Sequence, residues 1–584
     1  MLVECPHADR CPGCPLIRLD YPEQLARKAR TVARAFGAYP ALANAPFEPI
    51  VGAESAAGYR VRAKLVANGG RLGLYARGSH DVVDIPECPV LRPRLRAAAD
   101  AVRRVLANER DVSSVDLRES DEGILVTLGG TLKGDSLERL VERVANEVPG
   151  VVTVATGERR RDSPRVLAAS PRVRRGPPAA RHRLAVDGPY HYASPGAFTQ
   201  LHAGQAARAY AAVTERLEAL LGGLSGAAVL ELYAGSGALA LRLARAGARV
   251  TAVESHAPAV ELAERAAREQ ALPLEARAGD AGIVLSELAR ERRRYDAVVV
   301  NPPRRGLSPE VRRLTGALAP RALAYVSCDP VTLARDADDL ARLGFALERV
   351  TPFDMIPLSE AVETLAMFRR ASPPSPRVLF EDEALVAVSK SPHEPTTPQG
   401  EHEHSLLERV RALPDCDRAV PVHRLDVGTS GVCLFARSAE RVHPLAEALA
   451  SGTKEYLALV RGIARKHGQI ARPLKEAGAE RAARTSYARK SVVGGHSLVS
   501  VLPEQGRTHQ VRRHLAGIGH PVLGDQRYGD RPSNIHFEHA HGLDRSFLHL
   551  ESVTLTLGGV PTELRDELAP DLRAVLTSLK ARDE

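Results

Sequence analysis

Three cysteines crowd the phrase CPHADRCPGCP, at Cys5, Cys11 and Cys14, and a fourth, Cys88, lies in IPECPV. Proline follows each of these four, and none of the other three cysteines, Cys328, Cys416 and Cys433. Proline fixes φ and removes a backbone donor, so such loops are stiff and hold thiolates at set positions. Four thiolates suit an iron–sulfur cluster or tetrahedral zinc. A zinc knuckle usually pairs two C-x2-C units, and here there is one. A [4Fe–4S] cluster on Cys5, Cys11, Cys14 and Cys88 is the expectation, with zinc as the alternative.

Cys328 lies in ALAYVSCDPVTLARD, directly after an apolar strand and before a helix. A thiol there lies at the carboxyl edge of a sheet, where a helix N-terminus is expected to lower its pKa. Some 35 residues later Glu363 opens another strand, in VTPFDMIPLSEAVETLAMF. Taken singly, the cysteine reads as core packing and the glutamate as a surface carboxylate. Together at one edge they supply a nucleophile and a base. Upstream, VLELYAGSGALALRLA reads as strand, glycine turn and helix, with Gly235 and Gly237 opening the backbone to a ligand. Glu254 ends the next strand, RVTAVE, where a carboxylate can accept ribose hydroxyls. A dinucleotide site shows the same pattern. The strand YDAVVVNPPRRG, ending in Asn-Pro-Pro, points instead to methyl transfer. Asp426, in PVHRLDVGTSGVCLFAR, stands between a basic pair and a Gly-Thr-Ser-Gly turn. Alone, such an aspartate is a turn cap.

These residues need a scaffold of several units. At roughly 150 residues per domain, 584 residues make about four. Hydrophobic residues at 44% and charged residues at 26% are ordinary globular values and exclude wholesale disorder. No apolar run reaches the roughly 18 residues needed to span a bilayer, which excludes a membrane protein. The N-terminus has no apolar signal core, and with an odd cysteine count the expectation is a reducing compartment, the cytoplasm. The charge of +9 permits a nucleic-acid partner without requiring one. The fold expected is α/β and α+β multidomain. Residues 1–46 carry the cysteine loop and a basic helix, and 47–190 form a small central α+β domain that also bears Cys88. Residues 191–370 alternate strand and helix as a Rossmann-like, doubly wound parallel sheet. ASPPSPR, 371–377, reads as a linker. Residues 378–584 are a mixed α+β domain of short strands. No internal repeat or low-complexity tract is present.

The cysteine phrase with Cys88, then SPGAFTQLHAGQA, ELYAGSG, NPPRRG, YVSCDP and FDMIPLSEAVETL, in that order, resembles the RNA uracil-5 methyltransferases. The resemblance is greatest to the iron–sulfur type acting on large-subunit ribosomal RNA, and it covers about residues 1–370. It implies S-adenosylmethionine contacts at Gln200, Tyr233, Glu254 and around Asp280, with Cys328 as nucleophile and Glu363 as base. The same resemblance puts Gly235, Gly237 and Asn301 in the cofactor site. Three departures stand out. The oligonucleotide-binding barrel usual at the family's N-terminus is not expected here, Ala238 stands where asparagine is common, and Asn301 replaces the aspartate that opens the Pro-Pro motif. Beyond the linker, the Asp426 phrase followed by TKEYLALVRG, ARTSYA, EQGRTHQVRRHLAGIGHPVLGDQRYG and FLHL resembles the RluA-type pseudouridine synthases over about 377–560. That implies Asp426 as the catalytic carboxylate, Tyr456 stacked on the uracil, and Arg512, rather than Arg507, steering Asp426. Cys416 and Cys433 match no motif and are expected in packing.

The combined expectation is a two-headed RNA modification enzyme, one head using S-adenosylmethionine and the other no cofactor. Ribosomal RNA is the favoured partner, with transfer RNA open for either head; the oligomeric state is not legible. Two alternatives stand beside it. One is a pseudouridine synthase whose methyltransferase head has decayed into an RNA-binding module, prompted by Asn301 and Ala238. The other is a nucleotide-dependent oxidoreductase with a reactive cysteine and an electron-carrying cluster.

Overall fold

The computed structural model describes residues 3–131, 133–158, 171–318, 320–399, 404–476 and 478–583. The cysteine loop leads into the helix Tyr21–Gly37, capped by Asp20, whose side chain accepts the Glu23 N–H at 2.8 Å. Its inward stripe, Gln24, Lys28, Val32 and Phe36, repeats every four residues, the spacing of one helical face. Lys28 is buried with its charge matched by Asp354 and donates to the Ile356 carbonyl at 2.9 Å. Tyr21 donates to the same aspartate at 2.8 Å. The N-terminal helix is thereby tied to the loop that leads to Glu363.

The next sheet runs, in spatial order, Val82–Asp84, Arg71–Tyr75, Arg62–Asn68, Val112–Glu119, Ile124–Gly130, Val151–Glu158 and Arg172–Arg175, with the helices Pro93–Val105 and Gly134–Glu147 contributing to its core. A second seven-stranded sheet follows the order Leu274–Ala278, Arg249–Glu254, Ala228–Leu232, Ala297–Val300, Ala322–Ser327, Glu363–Arg370 and Phe345–Phe353. Its first five strands are parallel, as strand–helix alternation demands. Glu363–Arg370 alone runs against them, between Ala322–Ser327 and Phe345–Phe353, a reversal that the strand–helix pattern did not announce. Periodicity alone does not distinguish a hairpin from a crossover at that point. That reversal has a chemical consequence: Ser327 is paired with Thr364, so the residue after the one strand comes opposite the first residue of the other. Those residues are Cys328 and Glu363.

No helix or strand occurs over 371–377. The remaining residues build a ten-stranded sheet whose main path is Val378–Glu381, Leu385–Lys390, Ser430–Ala436, Leu548–Leu557, Thr453–Val460, His496–Pro503, Thr485–Val493 and His467–Ile470. Only the pair Ser430–Ala436 and Leu548–Leu557 is parallel along that path. Cys416 and Cys433 are buried in its core, as packing residues should be. Among the described residues no helix is long and apolar enough to cross a membrane.

Candidate active sites

The first site sits at the carboxyl ends of the parallel strands. Ala228–Leu232 runs into Tyr233, at φ +62°, and then the glycine turn. Gly237 also has positive φ, and a Cβ there would lie 3.0 Å from that of Ala263, so the turn needs glycine. Glu254 stabilises the turn from the adjacent strand. Its Oε2 accepts the Gly235 N–H at 3.0 Å, and its Oε1 accepts the His256 N–H at 2.9 Å and the Ser255 hydroxyl at 3.0 Å. Asp280 caps the helix Ala281–Arg290 through Oδ1, 2.9 Å from the Gly282 nitrogen. Burial and the Asp280 carboxylate push the Tyr233 phenol up to about 12. Asn301 follows Ala297–Val300, its N–H donating to the Leu232 carbonyl at 3.3 Å. Gln200 sits beside Tyr210, a buried phenol that also feels Glu363. Phe198, two residues before Gln200, is 66% exposed, an apolar ring that sequence reading passed over. Its signal was the phrase SPGAFTQ itself.

Burial raises the Cys328 thiol pKa, and the Glu363 carboxyl raises it further; Arg304 pulls it down without prevailing. The expectation of a thiol acidified by the helix N-terminus is therefore corrected: desolvation and a neighbouring carboxyl outweigh it. Burial also lifts Glu363 to about 7, again against the pull of Arg304. A carboxyl poised there can exchange a proton near neutrality. Arg304 was missed as a site residue although it stands in the quoted NPPRRG.

Cys14 lies within electrostatic reach of Cys5, Cys11 and Cys88. Burial, and then Cys88, Cys11 and Cys5 against the pull of Arg60, push the Cys14 thiol up to about 12. Among the described residues no set of three or more His, Cys, Asp or Glu forms a group able to hold a metal ion. The donor chemistry, four soft thiols drawn from two loops, nevertheless suits iron or zinc.

In the second unit, a cleft of about 710 Å³ is lined by Asp426, Tyr456, His423, Lys454, His509 and Arg512, among others. Arg512 reaches across it, Nη1 donating to Asp426 Oδ2 at 2.8 Å. Its Nε and Nη2 both donate to Asp525 at 2.8 Å, a bidentate pair on a fully buried carboxylate. Burial alone would raise Asp525; the Arg512 guanidinium, with the Tyr528 and Arg527 N–H groups, overrides that and holds it below its usual value. Asp426 itself remains one-third exposed, and His509 Nε2 lies 3.6 Å from its Oδ1. Tyr456, on Thr453–Val460, has its phenol raised by burial and then by the Asp426 charge. Arg507 instead faces Glu476 at 4.0 Å. Asp525 was missed, although its LGD phrase was in view; nothing local marks it as the residue that fixes Arg512.

Comparison with known proteins finds matches to both parts of the chain. Residues 192–324 match the methyltransferase small domain family, 281–371 the tRNA (uracil-5-)-methyltransferase family, and 384–517 the RNA pseudouridylate synthase family. An uncharacterized RNA methyltransferase of Geobacter sulfurreducens is 33% identical over 393 residues, covering 64% of this chain and 78% of that one. A 23S rRNA (uracil(1939)-C(5))-methyltransferase of Aeromonas hydrophila is 31% identical over 378 residues, covering 63% and 82%. A solved tRNA (uracil-54, C5)-methyltransferase of Pyrococcus abyssi, in complex with S-adenosyl-L-homocysteine, aligns with a TM-score of 0.49 and 24% identity, covering 61% of this chain and 86% of that one.

Proposed function

The chain belongs to the RNA uracil-5 methyltransferase family and carries an RNA pseudouridylate synthase unit behind it, and from that premise we propose how each head works and on what. It is a bifunctional RNA modification enzyme. In the first head, Cys328 Sγ adds to carbon 6 of a flipped uridine, and the electron pair displaced to carbon 5 takes up a methyl group. Glu363 then accepts the carbon 5 proton, and the pair left behind expels Cys328 as thiolate. S-adenosylmethionine would supply the electrophilic methyl, its sulfonium sulfur keeping the bonding pair and departing as S-adenosylhomocysteine. It would be held at the glycine turn, where the backbone has room, with Gln200, Tyr233, Glu254, Asp280 and Asn301 as its polar contacts. The observation that supports this reading is the Ser327–Thr364 register, which brings Cys328 next to Glu363.

In the second head Asp426 acts at the sugar while the glycosidic bond breaks and the ring rejoins through carbon 5. Tyr456 supports the uracil face, and Arg512, anchored on Asp525, aims the carboxylate. A uridine methylated at carbon 5 cannot be rejoined through that carbon as ordinary pseudouridine, so the heads act on different uridines. Ribosomal RNA is the substrate best supported, by the 23S rRNA relatives; the transfer-RNA family match keeps that class as the comparison substrate. Both reactions take an unstacked base, which loops and single strands release at least cost.

Cys5, Cys11, Cys14 and Cys88 would hold a [4Fe–4S] cluster in a structural or RNA-contacting role; zinc is the alternative. The two-head reading is tested with Cys328→Ser and Asp426→Asn assayed on the same RNA. Each should remove one product nucleoside and spare the other, the loss being at least about 10³-fold. Retention of both products in both variants would overturn the assignment.

A further inference from the structure

The loop Asn301–Ser308 carries both Asn301 and Arg304, the cation beside Cys328 and Glu363. Its backbone is held by the helix Pro330–Arg342, which starts two residues after Cys328. Thr332 donates to the Arg304 carbonyl at 2.9 Å, and Arg335 Nη2 to the Arg305 carbonyl at 2.9 Å. Asp336 Oδ2 accepts the Leu307 N–H and the Tyr325 hydroxyl, each at 2.7 Å. Tyr325 is on the strand that delivers Cys328. Gly306 lies so close that a Cβ there would be 2.5 Å from Asp336 Oδ2. Loop and nucleophile strand therefore rest on one buried Arg–Asp floor.

That floor is completed from the other head. Arg312, 1% exposed, pairs with Asp336 and donates through Nη2 to Asp544 Oδ2 at 2.7 Å. Arg335 Nη1 donates to the Gly542 carbonyl at 2.9 Å and lies 3.5 Å from Asp544. His393 Nε2 approaches Asp544 Oδ1 at 3.2 Å. Asp544, Gly542 and His393 all belong to the pseudouridine-synthase unit. Burial alone would raise the Asp544 carboxyl, but Arg335, Arg312 and His393 hold it well below the usual range, so it stands there as an anion. A buried network of this kind keeps its geometry only while every member is matched.

We propose that Asp544, in the second head, is a positioning residue for methyl transfer in the first, acting through Arg312 and Arg335 to hold the Arg304 loop against Cys328. The inference rests on the reading of Cys328 as nucleophile. It explains why a complete methyltransferase fold would be built onto its neighbour: the neighbour supplies an anion its catalytic loop stands on.

The test uses the full chain. Asp544→Asn keeps the shape and removes the charge. Methyl-transfer turnover should fall between about tenfold and 10²-fold, as misplacement of a catalytic group does. KM for S-adenosylmethionine and the pseudouridine rate should stay within about twofold. Site-resolved alkylation of Cys328 should slow and its pH profile move upward, because Arg304 no longer favours the thiolate. Asp544→Glu should recover much of the turnover. His393→Ala, which removes only the Oδ1 contact, should give a smaller loss in the same direction and serves if Asp544→Asn proves insoluble. Undiminished methyl transfer, or parallel loss of both products, would overturn the proposal. Cys328→Ser in the same assay separates the two readings: if that variant still methylates, the nucleophile assignment fails first.

Discussion

The two candidate sites hold their carboxyl groups in opposite electrostatic styles. In the first, the carboxyl proposed as base is hidden: Glu363 is 7% exposed, lifted to about 7 by burial, and it raises the pKa of the thiol beside it. In the second, Asp426 stays one-third exposed and is gripped by Arg512, itself locked on buried Asp525. Burial suits a group that must take up and release a proton within one turnover. A guanidinium clamp holds a carboxylate in one orientation.

The sharpest break in that contrast comes from Glu363→Gln. Removal of the carbon 5 proton should slow by about 10² to 10⁴-fold, and an RNA–protein adduct through Cys328 should accumulate, visible on denaturing gels. In the unaltered enzyme the same step should climb with pH through about 7, since the group acts as the carboxylate, and level above it; single-turnover rates across pH 5.5–8.5, about three units around that value, check it. A flat profile would show that proton uptake is not what burial is for.

Asp525→Asn probes the other style. Pseudouridine formation should drop by about tenfold or more as Arg512 loses its anchor, while methyl transfer holds. Leaving Arg512 partly unmatched should also destabilise the second unit by about 3–5 kcal/mol, measured by denaturant melts. The Asp525 carboxyl is held below its ordinary 3.8 in the fold, so it contributes stability above that pH. That contribution fades as pH falls through the lowered value, and the variant's melts should show a shallower acid limb. The smallest catalytic effect is expected at the cysteine loop. Cys14→Ser should lose bound iron and sulfide, or zinc if that is the metal, with methyl transfer reduced by about tenfold through the loosened loop. Metal analysis of the purified chain decides between them.

Much of this was legible in the residues. ELYAGSG, NPPRRG and YVSCDP place a glycine turn and a thiol at strand ends, and the structure puts them on one sheet edge. Two things were not legible, for distinct reasons. Strand–helix periodicity carries no sign of direction, so the antiparallel hairpin that brings Glu363 to Cys328 emerged only from the register. Asp525 and Asp544 work through partners 13 and 232 residues away, and an aspartate in a turn looks alike whether it caps or clamps. The thiol pKa went the opposite way to the local expectation, because desolvation depends on the whole fold.

The central claim, two chemistries on separate uridines from separate pockets, is most directly tested by mapping. Ribosomal and transfer RNA from cells lacking the chain, and from cells restored with the unaltered, Cys328→Ser or Asp426→Asn forms, would be mapped for 5-methyluridine and pseudouridine. The account predicts one site lost with the serine form alone, and a different position lost with the asparagine form alone. A single position that needs both residues, or RNA unchanged in every strain, would contradict it.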